Sequence, residues 1–209
     1  MTYRAVIFDL GGVVLGSPLH AIARYERDQG IPPGVINRVV VATGPAGAWS
    51  RLERGELTLE EFYPAFDRDC AAAGCRISAR ALMALVAGVT QPRPAMLEAI
   101  ACIRARGLAA AAVTNNWITE DEGTGALRPH FDVFIESAVV GVRKPDRRIF
   151  EIACAALRIT PAEAVFLDDI GSNLKTARAL GMTTIRVDEP DAALAELAGV
   201  LGFALRAAP

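Results

Sequence analysis

The chain is short of several things, and each shortage closes off a class of function. It carries only two histidines in 209 residues, His20 and His130, which are far apart and match no zinc-ligand spacing. Its four cysteines, Cys70, Cys75, Cys102 and Cys154, make no metal pattern either. Only the first two are close together, no histidine lies near them, and three sit in alanine-rich, helix-like surroundings. They are expected to be reduced and structural, the usual state inside a cell. No charge of one sign dominates: 22 Lys and Arg stand against 24 Asp and Glu, giving a net charge of -2 and a pI near 5.8. That balance offers no broad basic surface, so no nucleic-acid partner is expected, although small anions are. Long hydrophobic runs are missing too. The longest, residues 81–89, is far below the roughly 20 residues that span a bilayer, so no membrane partner is expected. A strand begins within a few residues of the start, leaving no room for a signal peptide, and the expected location is the cytoplasm. Internal repeats, low-complexity tails and long linkers are absent as well. The sequence leaves oligomeric state open.

What is present is a hydrophobic content of 52%, enough for one substantial core and a smaller appended layer. Within it, the apolar run Ala5-Val6-Ile7-Phe8 ends at Asp9 and empties into Leu10-Gly11-Gly12. Two later runs end the same way. Residues 109–113 lead into Thr114-Asn115-Asn116, and Val165-Phe166-Leu167 leads into Asp168-Asp169. In open α/β sheets ligands sit beyond the carboxyl ends of parallel strands, so three strand ends deliver acids, a hydroxyl and an amide toward one sheet edge.

The alternation around these runs predicts a doubly covered parallel sheet. A helix is expected over 95–106, a strand over 109–113, a helix, and a strand over 133–136. Another helix follows Pro145, then a strand over 164–168, a helix over 173–180, a strand over 184–187 and a terminal helix over 191–200. Residues 17–88 interrupt this rhythm and read as helices alone, with Thr58 and Glu61 spaced for a capping box. The expected organisation is a core of residues 1–16 and 89–209 with an inserted helical cap at 17–88.

The residue types at the strand ends suit phosphoryl transfer. A phosphate monoester brings about two negative charges, so a carboxylate cannot approach it without a neutralising cation. Mg²⁺ takes oxygen ligands in an octahedron, which Asp9, one of Asp168 and Asp169, and a backbone carbonyl can supply. Such a cation would also hold two adjacent acids ionised. Thr114 and Asn115 offer donors for phosphate oxygens. Lys144 adds a fixed positive charge, placed by Pro145 at a helix start. Asn173 is expected to orient one acid or the lysine.

Taken together, Phe8-Asp9-Leu10-Gly11-Gly12-Val13, Val113-Thr114-Asn115, Lys144-Pro145 and Phe166-Leu167-Asp168-Asp169 resemble the four ordered motifs of the haloacid dehalogenase superfamily. Segments 114–117, 135–137, 141–145 and 166–175 are similar to the N-terminal phosphatase domain of soluble epoxide hydrolases. The resemblance implies a Rossmann-like α/β core and a Mg²⁺-dependent phosphatase acting on a small phosphorylated substrate through an aspartyl phosphate on Asp9. It further implies that Asp9, the Gly11 carbonyl and, of the acidic pair, Asp169 hold the metal. Trp117, next to the phosphate-binding pair, is a candidate to touch substrate. Trp49, Phe62, Tyr63, Phe66 and Met83 are candidates to line the cap.

One position departs from the pattern. Most phosphatases of the superfamily carry an acid where this chain has Gly11, and general acid-base help is worth about 100-fold to 10,000-fold in rate. Slow turnover, a leaving group that needs little protonation, or a donor such as His20 would each accommodate the change. Gly11→Asp is expected to raise the rate. Two other readings stand beside the phosphatase: a hydrolytic dehalogenase with Asp9 as nucleophile, and a phosphate-ligand binder without turnover.

Overall fold

Five short runs form one parallel sheet in the computed structural model, which describes residues 2–88, 91–119 and 123–205. The strands are β1 (Ala5–Phe8), β2 (Ala109–Thr114), β3 (Val133–Glu136), β4 (Ala164–Asp168) and β5 (Thr183–Arg186), in the order β3-β2-β1-β4-β5. All four pairings are parallel. β1 lies in the middle with every residue buried, as an unbroken apolar run without polar alternation requires.

The period-2 alternation of the strands divides the core into two layers. Val6, Phe8, Ala110, Ala112, Val165 and Leu167 face one side, against α6 (Pro94–Ala105) and α10 (Pro190–Leu201). Ile7, Ala111, Val113 and Phe166 face the other, against α8 (Arg147–Leu157) and α9 (Gly171–Ala179). The chain therefore has the expected α/β architecture, a parallel sheet covered on both faces.

Between β1 and β2 the chain runs through α1 (Pro18–Asp28), α2 (Val35–Thr43), α3 (Ala48–Glu53), α4 (Leu59–Ala72) and α5 (Ala79–Gly88). These helices bury their own cluster, including Ile22, Tyr25, Trp49, Phe62, Phe66 and Leu82, with Trp117 of the sheet edge packed against it. The capping box at α4 forms: Glu61 N–H donates to Thr58 Oγ1 at 3.3 Å, and Thr58 N–H donates to Glu61 Oε2 at 2.8 Å. The boundary expected between 88 and 89, like the end of the apolar run at Val89, involves residues outside those described.

Three expectations shift. The connection between β2 and β3 holds a 3-10 turn at Gly123–His130 rather than an α-helix, since Pro129 lacks an N–H and two glycines weaken the segment. A short helix, α7 (Ser137–Val140), follows β3 directly. β5 begins one residue earlier than expected and α9 two. Among the described residues no helix is long and apolar enough to cross a membrane. All four cysteines are free, and burial pushes the Cys70 thiol up to about 12 and the Cys154 thiol up to about 11, which suppresses their thiolates.

Candidate active site

The central position of β1 decides where the chemistry gathers. Asp9 continues the ladder for one residue, its N–H donating to Leu167 O at 2.9 Å, so its carboxylate emerges beside the end of β4. There Asp168 closes the strand and Asp169 follows. One carboxylate oxygen from each of Asp9, Asp168 and Asp169 lies within 4.8 Å of the others.

Lys144 enters this cluster from the segment before α8. Its Nζ stands 2.7 Å from Asp9 Oδ1 and 2.8 Å from Asp168 Oδ2, and the side chain is 1% exposed. The lysine is held in place by Asn115, whose Oδ1 accepts from Lys144 N at 2.8 Å and whose Nδ2 donates to Lys144 O at 3.1 Å. Asn115 is thus brought to the site as expected, but its side-chain amide is committed to the lysine backbone. What it retains for a substrate oxygen is its backbone N–H.

The two neighbouring acids divide their work. Asp168 is fully buried and saturated by protein donors: Ile170 N at 2.7 Å, Lys144 Nζ, and Asn173 Nδ2 at 3.1 and 3.0 Å on its two oxygens. Asn173 therefore orients an acid as expected. Asp169 is half-buried and meets only Ser17 Oγ, at 3.5 Å, among the described side chains. Burial, then the Asp168 charge, pushes its carboxyl up to about 6. Asp9 is also raised, well above the usual carboxylate range, by burial that the Lys144 charge only partly offsets. Burial alone would lower Lys144, but the charges of Asp168 and Asp9 outweigh it and hold the amine above its ordinary value.

Three clustered acids, two of them paired to one amine, leave an excess of negative charge in a largely buried place. Their donor set is oxygen throughout, and like-charge pressure on Asp9 and Asp169 is what a bound divalent cation relieves. The residues present therefore fit Mg²⁺. The loop after Asp9 brings its backbone to the same spot, with Leu15 N–H closing it onto Leu10 O at 2.8 Å. Gly12 has φ +81°, and a Cβ there would lie 2.1 Å from Asp169 Oδ2, so only glycine lets the loop pass this close to the acid.

Gly11 is constrained differently. Its φ of -64° suits any residue, but a Cβ would meet the Pro18 ring at 3.2 Å and 3.3 Å. The first residue of α1 thus occupies the space a side chain at 11 would enter. Gly11→Asp is expected to lower the melting temperature, by overpacking worth about 1 kcal/mol or more, before any gain in rate. Adding Pro18→Ala should recover the stability, and only the double variant should turn over faster than the parent. A single variant that melts like the parent and is faster would refute this.

A cavity of about 550 Å³ opens over the carboxylates. Its lining combines Asp9, Gly11, Asn115, Lys144, Asp169 and Asn173 with the apolar Leu19, Ile22, Val40 and Val41 and the two indoles Trp49 and Trp117. A second cavity of about 540 Å³ shares Gly11, Pro18, Asn115 and Trp117 with the first, and has Thr114 in its wall. Of the aromatic and methionine candidates in the cap, Trp49 reaches the main cavity. Phe62, Phe66 and Met83 are instead interior to the helical cluster, and Tyr63 packs against that cluster's outside beneath Arg80. His20 is exposed on α1 and outside the lining of both cavities. The aliphatic wall and the pair Glu53–Arg143, which also lines the cavity, escape sequence reading because nothing in their spacing marks them.

A model of the haloacid dehalogenase-like hydrolase family matches residues 3–181. The chain belongs to that family. This hydrolase is 42% identical to mouse acyl-CoA dehydrogenase family member 10 over 98% of its own length and 20% of the relative's. It is 35% identical to pig bifunctional epoxide hydrolase 2 over 100% of its length and 40% of the relative's. It therefore spans about a fifth and two-fifths of these relatives. A sesquiterpene phosphatase of Aspergillus oryzae matches at 25% identity over 96% of this chain and 98% of its own. Among solved structures, a predicted member of the family from Porphyromonas gingivalis superposes with a TM-score of 0.71 at 22% identity, covering 96% of this chain and 98% of that one. A Bacteroides thetaiotaomicron family enzyme solved with magnesium and inorganic phosphate gives 0.61 at 18%, covering 88% and 93%. The L-2-haloacid dehalogenase of Xanthobacter autotrophicus gives 0.61 at 20%, covering 95% and 83%. At these identities the structures establish the shared fold, and they include both phosphate-binding and dehalogenating relatives.

Proposed function

We propose that this hydrolase is a Mg²⁺-dependent phosphatase that cleaves a small phosphate monoester through a phosphoryl group carried on Asp9. The observation that carries the reading is the oxygen-only cluster of Asp9, Asp168 and Asp169 around Lys144. A dehalogenase needs the nucleophile, the lysine and an acid such as Asp168 to hold that lysine, but has no use for Asp169, a further acid crowded beside them. Phosphatases among the relatives, and the family enzyme solved with magnesium and phosphate, support the same choice.

In this reading Asp9, Asp169 and the Gly11 carbonyl would hold the ion, which would supply charge neutralisation for the incoming phosphoryl oxygens. Asp9 attacks phosphorus in line; the phosphorus–oxygen bond to the leaving group breaks, and its electron pair departs on that oxygen, which takes a proton from solvent because position 11 offers no acid. Water then attacks phosphorus and gives up a proton to solvent, the bond to Asp9 breaks, and phosphate leaves with the carboxylate restored. Thr114 and the backbone at Asn115 bind the phosphoryl oxygens. Asp168, held by Asn173, keeps Lys144 aimed at Asp9 rather than binding the ion itself. Trp117 contacts the leaving group.

The apolar side chains in the lining of the main cavity favour an apolar leaving group. Leu19 and Val41, both among the exposed large hydrophobics at 38% and 74%, stand at its rim, where water-facing apolar side chains serve an apolar ligand. The sesquiterpene phosphatase relative points the same way. Assayed against alkyl, isoprenyl and sugar phosphates with and without Mg²⁺, the protein is expected to favour the apolar esters in kcat/KM and to lose phosphate release on chelation. Faster turnover of sugar phosphates would overturn the substrate assignment. Calorimetry gives an independent reading of the ion site: Mg²⁺ should bind the parent and not Asp169→Asn. Equal binding by both proteins would remove Asp169 from the ligand set.

A further inference from the structure

We infer that Glu53 and Arg143 form a latch across the seam between the helical cap and the sheet, and that this latch is a positioning device for Lys144. Arg143 is the residue immediately before the lysine. Its Nε pairs with Glu53 Oε2 at the end of α3, an ion pair rather than an aligned hydrogen bond, and its Nη1 donates to Ser50 Oγ at 3.1 Å. The acceptors are buried, Glu53 at 6% and Ser50 at 1% exposure. Glu53 is fixed in turn on its other oxygen, Oε1, by the indole N–H of Trp49 at 3.0 Å.

Two further contacts bring the same helix onto the sheet. Trp49 meets Trp117 edge-on with ring centroids 6.4 Å apart. Just past α3, Gly55 has φ +71° and passes so close to α7 that a Cβ would lie 2.3 Å from Ala138 O. Only glycine permits that approach. The lysine segment is therefore gripped twice, by Asn115 from the sheet at Lys144 itself and by the cap at the preceding residue. Cap seating and the placement of Nζ between Asp9 and Asp168 share one short stretch of backbone.

The cost of a buried ion pair explains why the arrangement is informative. A well-packed apolar pair would hold the seam as well or better, so stability alone gives little reason to keep charges there. Connection to the lysine does. Because Arg143 meets α3 through both the ion pair to Glu53 and the hydrogen bond to Ser50, a cap that moves off the site releases the restraint on Lys144.

The chain's two tryptophans are the two at this seam, so their emission reports it directly. In Glu53→Gln the emission should shift to longer wavelength as the seam loosens and water reaches Trp49, which is 7% exposed in the parent. The effect on turnover rests on the phosphatase reading: with p-nitrophenyl phosphate and Mg²⁺, kcat should fall by about 100-fold, the loss a misplacement of roughly 1 Å produces, with KM changed far less. The paired replacement Glu53→Met with Arg143→Met separates positioning from packing. It should restore the melting temperature and leave kcat low. Wild-type kcat in Glu53→Gln, or recovery of kcat in the double variant, would overturn the inference. If the parent protein itself releases no phosphate, the phosphatase reading fails, and the latch is then judged by emission alone, with an unchanged spectrum in Glu53→Gln counting against it.

Discussion

Lys144→Met should destabilise this protein by about 3–5 kcal/mol, the loss seen when one partner of a buried ion pair is removed. For a domain of this size that corresponds to a melting temperature lower by roughly 6–20 °C. The reason is geometric: Lys144 is the cation within salt-bridge distance of both Asp9 and Asp168, at 2.7 and 2.8 Å, and both acids are buried. Removing it leaves two carboxylates facing each other without a counter-charge. The sign of the pH dependence follows. Burial already raises Asp9, and the Lys144 charge is what opposes the rise, so the variant's Asp9 should be raised further. An acid whose folded pKa lies above its unfolded value binds protons on folding, and its stability contribution worsens as pH climbs from the unfolded toward the folded pKa. The deficit relative to the parent should therefore be larger at pH 8 than at pH 5. Calorimetric melts at the two pH values test this, and a shift below 2 °C, or a larger deficit at the acid end, would contradict the charge arrangement described here.

Asp9→Asn should do the reverse, abolishing turnover while sparing the fold. Loss of a nucleophile costs on the order of 10⁴-fold to 10⁶-fold in rate. The amide still offers an oxygen for the hydrogen bonds that Asp9 Oδ1 now accepts from Leu10 N at 2.6 Å and from Lys144. It also removes a charge that burial disfavours, so the melting temperature should hold or rise. Acid-quenched samples of the parent should carry a phosphoryl group on the peptide containing Asp9, and the variant should not. Phosphate release by Asp9→Asn at a rate near the parent's would remove Asp9 from the chemistry.

Much of this site is legible in the sequence because strand ends are local features. An apolar run that stops at a polar residue marks both a buried strand and the edge at which it emerges, so Asp9, Thr114 and Asp168 could be read without neighbours. Thr58 and Glu61 were equally readable, since a capping box spans three residues. The 3-10 turn at Gly123–His130 was not, because a proline and two glycines weaken a helix without saying what replaces it. Nor could spacing show that the Asn115 side chain meets the Lys144 backbone, 29 residues away, through both its oxygen and its nitrogen.

The sequence by itself determined the order of the strands' chemistry: which acids, which lysine and which glycines would meet at one edge of a parallel sheet. It did so because local hydrophobic pattern sets strand limits, and parallel pairing aligns those limits on the same side. Only the tertiary structure decided which acid is saturated, which residues of the helical cluster face the cavity, and what a side chain at position 11 would meet. Asp168 is saturated while Asp169 stays open because three donors, Lys144 Nζ, Ile170 N–H and Asn173 Nδ2, converge on the first and only Ser17 Oγ reaches the second among the described side chains. Trp49 reaches the main cavity while Phe62 and Phe66 fill the interior of the helical cluster because helix rotation, fixed by packing over long chain separations, chooses the face each residue presents.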